Sequence, residues 1–245
     1  MRPFLLLATR PEDEAADAEY EAFRRFADLR EDELVRVRLE ARPLPQLDLE
    51  EFSGVIVGGS PFNTSDPEDE KSELQHRVEG DLQGLLDRVI EHDVPFLGAC
   101  YGVGTLGVHQ GAVVDRTHAE PVGSVTVLLT EEGRRDRLVQ AANLPDWFTA
   151  FVGHKEGVRA LPEHAVCLAS SKTAPVQMFR IGTRQYATQF HPELDVPGLV
   201  QRIRIYREAG YFAPEETETL IEEVQKVEAG APAGVLLGFV ELFAR

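Results

Sequence analysis

Cys100 stands in Phe96-Leu97-Gly98-Ala99-Cys100-Tyr101-Gly102-Val103-Gly104, an apolar run that ends on a thiol with a glycine two residues to either side. A turn of this kind between strand and helix exposes the central side chain, and glycines suit its crowding and strained dihedrals. The amino terminus of a following helix favours a thiolate over a thiol. Far along the chain, Gln189-Phe190-His191-Pro192-Glu193 places an imidazole and a carboxylate two residues apart. Alternate residues of an extended segment point the same way, so Glu193 can orient His191 to take the thiol proton and later return it to a leaving amine. Gly58-Gly59 closes a third apolar run, and an N–H there, with that of Tyr101, would stabilise a tetrahedral oxyanion. Taken singly, each motif has a plain structural reading: a packed cysteine, a surface turn, a Gly-Ser-Pro turn. Together in one chain they point to a cysteine hydrolase or acyl-transfer enzyme with Cys100 as nucleophile.

The elements that must position these groups follow from patterning. Short apolar runs at Phe4 to Ala8, Leu34 to Leu39, Gly54 to Gly58 and Pro95 to Ala99 alternate with amphipathic stretches from Glu12 to Leu29 and Lys71 to His92. That alternation predicts a parallel sheet with crossover helices. From Pro121 onward, closely spaced runs at Val122 to Thr130, Phe148 to Val152, Ala165 to Ser170, Val176 to Ile181 and Gln185 to Phe190 predict antiparallel strands added to that core. Helices are expected at Pro197 to Ala209, Pro214 to Val227 and Ala233 to Phe243. In an open α/β sheet, ligands bind outside the carboxyl ends of the strands, where Gly58-Gly59, Cys100 and His191 all fall.

The chain has 245 residues and a formal net charge of −17, with a pI near 4.8. It has no basic surplus to release counterions from nucleic acid, so nucleic-acid binding is not expected. The apolar segment Phe4 to Ala8 is too short for a signal or a membrane span, so no membrane partner and a cytoplasmic location are expected. In that reducing setting Cys100 and Cys167 are not expected to pair, and Cys167 reads as a strand residue. The histidines at 76, 92, 109, 118 and 164 show no metal-ligand spacing, and Gly102-x-Gly104-x-x-Gly107 overlaps the elbow rather than opening a dinucleotide site. No metal or cofactor is expected.

The strings V-I-V-G-G-S from Val55, P-F-L-G-A-C-Y-G from Pro95, G-H-K-E-G-V-R-A-L-P from Gly153 and Y-A-T-Q-F-H-P-E from Tyr186 resemble, in order, the class I or triad-type glutamine amidotransferases. They are most similar to the amidotransferase domain of GMP synthase. The resemblance spans at least Val55 to Asp195. It implies a flavodoxin-like three-layer α/β sandwich: a mainly parallel central sheet, an added antiparallel strand region and C-terminal helices. Residues 1–195 would form the amidotransferase domain and 196–245 a helical extension packed on it. It also implies that Cys100 attacks the side-chain amide of glutamine to form a γ-glutamyl thioester, with His191 as base and Glu193 as its orienter. Gly59 and Tyr101 then match the oxyanion hole, and Gly58, Gly102, Gly153 and His154 fall at substrate-binding positions. With no synthetase domain following, the ammonia would pass to a separate synthase subunit.

Two departures qualify the match. Gly104 stands where the family's C-x-G-x-Q has glutamine, and Ser60 replaces the proline after Gly-Gly, with Pro61 one residue later. The first favours a second reading, a γ-glutamyl hydrolase or peptidase acting on another γ-glutamyl compound. A third is a catalytically idle binding protein of the same fold. Asn63-Thr64-Ser65-Asp66 reads either as a lining of the entrance or as a plain capping turn.

Overall fold

The computed structural model describes residues 1–245. Its strands are β1 (Phe4–Ala8), β2 (Leu34–Arg38), β3 (Gly54–Val57), β4 (Phe96–Ala99), β5 (Val113–Asp115), β6 (Glu120–Leu129), β7 (Trp147–His154), β8 (Gly157–Ala160), β9 (Ala165–Ser171), β10 (Met178–Ile181) and β11 (Gln185–Thr188). Its helices are α1 (Asp13–Phe26), α2 (Glu73–Glu91), α3 (Tyr101–His109), α4 (Glu131–Arg135), α5 (Arg137–Ala141), α6 (Val196–Ile205), α7 (Thr217–Val224) and α8 (Gly234–Phe243).

Nine strands form one sheet in the order β2-β1-β3-β4-β11-β10-β9-β6-β7. The first five run parallel, in the flavodoxin-like sequence of strand positions, and the remaining pairings are antiparallel. β11 is the correction to the expected antiparallel set. It pairs antiparallel with β10 but lies parallel to β4, so it completes the parallel block and puts its carboxyl end beside that of β4. The short β5 and β8 lie outside the expected strands; they pair as a separate two-stranded ribbon, and three-residue β5 is too short to leave a periodic signal.

Strand periodicity divides the core into two layers. On β1, Phe4 and Leu6 join the cluster beneath α1, α5 and α8, whereas Leu5 and Leu7 join the one beneath α2 and α3. Every residue of β1, β3, β4 and β11 is buried, as a parallel strand covered on both faces must be, and β1, β3 and β4 are accordingly apolar runs without alternation. The chain after residue 195 does two different things. Phe239 of α8 sits 5.8 Å from Phe4, ring to ring, inside the first layer. Leu199 and Ile203 of α6 and Ile221 and Val224 of α7 form a smaller cluster on Phe151 of β7.

No helix is long and apolar enough to cross a membrane. Truncating the fully buried Phe239 to alanine is expected to destabilise the whole protein by about 3–5 kcal/mol. Urea unfolding checks this as a lower midpoint at unchanged slope.

Candidate active site

The carboxyl ends of the parallel strands converge on one place: Thr9-Arg10 after β1, Gly58-Gly59 after β3, Cys100 after β4 and Gln189-Phe190-His191 after β11. Cys100 has φ 53° and ψ −90°, a left-handed backbone that a non-glycine residue adopts only when its surroundings impose it. The constraints are visible. Its N–H donates to the Thr188 carbonyl at 2.8 Å, tying the turn to β11, and α3 begins at the next residue. A Cβ on Gly98 would lie 2.7 Å from the Gly102 carbonyl carbon and oxygen, so the elbow closes only with glycine at 98. Gly102 faces Val57 at ordinary contact distance, packing against β3 rather than facing the site.

His191 and Glu193 are both buried, and the His191 Nδ1 lies 2.7 Å from Glu193 Oε1. Beside a carboxylate, Nδ1 must be the donor, which leaves Nε2 free to face the thiol. Burial works against the imidazolium charge, but Glu193 and the neighbouring sulfur of Cys100 outweigh it and raise the His191 pKa to about 9. For Glu193 burial likewise disfavours the charge, and the cations of His191 and Arg202 overcome it, holding the carboxyl well below its usual range.

Arg202, Glu19 and Arg10 carry no functional signal in the sequence. The Arg202 guanidinium donates to Glu193 Oε1 at 3.0 Å and to Glu19 Oε1 at 3.1 Å; Arg10 Nε donates to the same Glu19 oxygen at 2.9 Å. Arg202 comes from α6, Glu19 from α1 and Arg10 from the end of β1, so the charges form one buried, balanced set of two guanidiniums and two carboxylates around the imidazole. Burial opposes the Arg10 charge, but Glu19 and Tyr206 hold it above its ordinary value. Nothing in a linear reading pairs residues 10, 19 and 202.

This network revises several expected roles. Gly58 is backed by Glu19, whose Oε2 lies 2.6 Å from where a Cβ would stand, so glycine there makes room for the carboxylate rather than for substrate. A Cβ on Gly59 would meet Arg10 at 2.4 Å and His191 at 3.1 Å, and the Gly59 N–H donates to Glu19 Oε1 at 3.2 Å instead of facing the thiol. Tyr101, as the first residue of α3, has an N–H with no acceptor inside the helix. The His154 side chain is committed to structure: its ring nitrogens lie 2.8 Å from Glu120 Oε2 and 2.7 Å from the Glu156 carbonyl.

Two small chambers adjoin Cys100, sharing Ser60, Gly153 and Tyr211 as walls. One, of about 20 Å³, is polar and lined by Asn63, Glu156 and Gln189. The other, of about 50 Å³, is mainly apolar and includes His191. Gly58 and Gly102 line neither. A larger open cleft of about 580 Å³ lies between α1 and α6, reaching Glu19 and Arg202 but not the thiol.

The missing side chain at position 104 is replaced in space. A Cβ there would lie 2.7 Å from both Glu156 Oε1 and Thr64 Oγ1. The Glu156 carboxylate accepts the Thr64 N–H and hydroxyl, each at 2.9 Å, and the Ser65 N–H at 2.7 Å. Asn63-Thr64-Ser65-Asp66 is therefore a clamp on Glu156 that also lines the polar chamber through Asn63.

A model of the class I glutamine amidotransferases matches residues 17–197, well over half of the chain. The protein belongs to that family. It is 30% identical over 147 residues to the glutamine-hydrolysing GMP synthase of Hamiltonella defensa, covering 58% of this chain and 25% of that protein. The chain thus aligns with only about a quarter of such full-length synthases. Against a single subunit of the glutamine-hydrolysing GMP synthase of Thermoplasma volcanium, identity is 28% over 166 residues, covering 67% of this chain and 72% of that relative. A solved glutamine amidotransferase from Thermotoga maritima superposes with TM-score 0.78 at 20% identity, covering 99% and 98% of the two chains, and so shares the fold.

His191 has a folded pKa above its unfolded value, so its stabilising contribution is complete below about pH 6.5 and lost as pH rises through about 9. The melting temperature should therefore fall more between these pH values in the wild type than in His191→Gln, as read by paired thermal scans. Gly104→Gln, in turn, should not restore a family-like site. It must displace Glu156 and Thr64, and is expected to lower both melting temperature and any turnover, with overpacking costing about 1–3 kcal/mol.

Proposed function

We propose that this chain hydrolyses the side-chain amide of glutamine through a γ-glutamyl thioester on Cys100 and supplies the ammonia to a separate synthase subunit. The observation that carries the reading is the thiol on a left-handed elbow, sharing one chamber with an imidazole whose Nδ1 lies 2.7 Å from a buried carboxylate. Family membership supports it, as does the Thermoplasma volcanium relative, whose name describes one subunit of a synthase. A cytoplasmic location belongs to the same reading.

In this mechanism His191, kept protonated at neutral pH by its raised pKa, already holds the proton given up by Cys100 when the sulfur attacks the amide carbon, and the oxyanion is met by the Tyr101 N–H. Gly59 joins as second donor only when its N–H leaves Glu19. His191 then gives the proton to the departing nitrogen, and a water, deprotonated by the same imidazole, frees glutamate from the thioester. Glu193 and Arg202 touch no reacting atom. They hold His191 in the tautomer and orientation that each transfer needs. The polar chamber borders the Glu156 carboxylate and Gln189 Oε1, a buried acceptor without a partner, and both complement the α-ammonium of a bound amino acid.

The test is peptide mass spectrometry after exposure to an electrophilic glutamine analogue, with free glutamine as competitor. An adduct on Cys100 that glutamine suppresses and Cys100→Ala abolishes is the expected result. Unprotected labelling spread over Cys100 and Cys167 alike would remove the glutamine-site reading.

A further inference from the structure

The two chambers beside Cys100 differ in the one respect that decides which end of a substrate each receives. His191 borders the apolar chamber and not the polar one. Because the imidazole must protonate the departing nitrogen, that nitrogen and whatever it carries project toward the His191 side. Ammonia needs no apolar room, yet beside Arg10 and Arg202, whose guanidiniums are paired with Glu19 and Glu193, most of the wall is apolar: Val122 and Val152 from the sheet, Leu199 and Ile203 from α6, and Phe212. Tyr211 is held over the site by the Lys155 ammonium, 4.4 Å from its ring centre, and Lys155 also donates to the Ala209 carbonyl at 3.2 Å. At about 50 Å³, the space admits a group of about three to five water-sized units, with one unit needing roughly 10–15 Å³.

The geometry points to an amine-side subsite: the site takes γ-glutamyl amides whose nitrogen bears a short apolar substituent, in addition to glutamine. This rests on the Cys100 hydrolase reading. In the step concerned, the bond from Cys100 sulfur to the side-chain amide carbonyl carbon forms and that carbon's bond to nitrogen breaks. The nitrogen leaves as a primary amine carrying the proton that His191 took from the thiol. Water completes the hydrolysis to glutamate.

The test compares initial rates on glutamine, Nγ-ethylglutamine and Nγ-butylglutamine, scoring glutamate release, with Cys100→Ala as blank. The ethyl amide is expected to match or exceed glutamine in kcat/KM. Val122→Phe, which fills the chamber from a half-buried position, should lower the ethyl-to-glutamine ratio by about tenfold or more, the scale set by one or two methylenes in an apolar pocket. Phe212→Ala, which removes bulk from another half-buried wall, should shift preference toward the butyl amide. Turnover of glutamine without either alkyl amide would make the chamber an ammonia exit and overturn the inference. An unchanged ratio in both variants would do the same. Failure of all three amides would overturn the hydrolase reading itself.

Discussion

Glu193 is a carboxylate with no exposure to solvent, and the site is organised around keeping it charged there. An isolated buried carboxylate would take up a proton and could not orient an imidazolium. Here His191 and Arg202 both meet its Oε1, and Arg202 in turn requires Glu19, which requires Arg10. Each added group neutralises the one before it. The set reaches from the end of β1, through α1, to α6, so the pairing of His191 with Glu193 beside the Cys100 elbow depends on helices far apart in the chain. Removing any one member would leave an uncompensated charge in a dry interior, a costlier event than losing a surface ion pair.

The same network explains the glycines after β3. Glu19 lies where a side chain at 58 would stand, and Arg10 and His191 lie where one at 59 would stand. The pair therefore admits a buried ion pair to the back of the active site, and this close approach also brings the Gly59 N–H onto Glu19. A donor that could serve an oxyanion is held by a carboxylate. The two uses compete for one hydrogen, so the position of Glu19 bears on both the proposed triad and the proposed oxyanion site.

What the sequence reveals and what it hides divide along physical lines. The buried parallel strands, the elbow and the His-x-Glu pair are legible because each is local: a continuous apolar run, a glycine spacing, an alternation of two. β11 is legible as a strand but not in its sense, since periodicity reports burial and not direction. Helices α6 and α7 are shorter than the apolar pattern suggests, at Val196–Ile205 and Thr217–Val224. Arg10, Glu19 and Arg202 are illegible for a different reason. A charged residue on an amphipathic helix, as Glu19 and Arg202 are, or in a loop, as Arg10 is, normally faces water, and only the tertiary arrangement shows these three turned inward.

Position 104 shows how a family departure can mislead when it is read in one dimension. Glycine there looks like the loss of a substrate anchor. In three dimensions, the volume beside residue 104 is occupied by Glu156, reaching across from the loop between β7 and β8, and by Thr64 from the segment after β3. The carboxylate is fixed by three donors and borders the polar chamber, so the position has exchanged a flexible neutral amide for an immobilised charge. Such a charge discriminates more sharply than an amide, favouring a cationic group and rejecting an anionic one at close range. An amino acid presents both at its α-carbon. On the proposed reading, a site altered in this way constrains which of the two groups lies beside Glu156, while the apolar chamber on the other side of the thiol bears on the nitrogen that leaves.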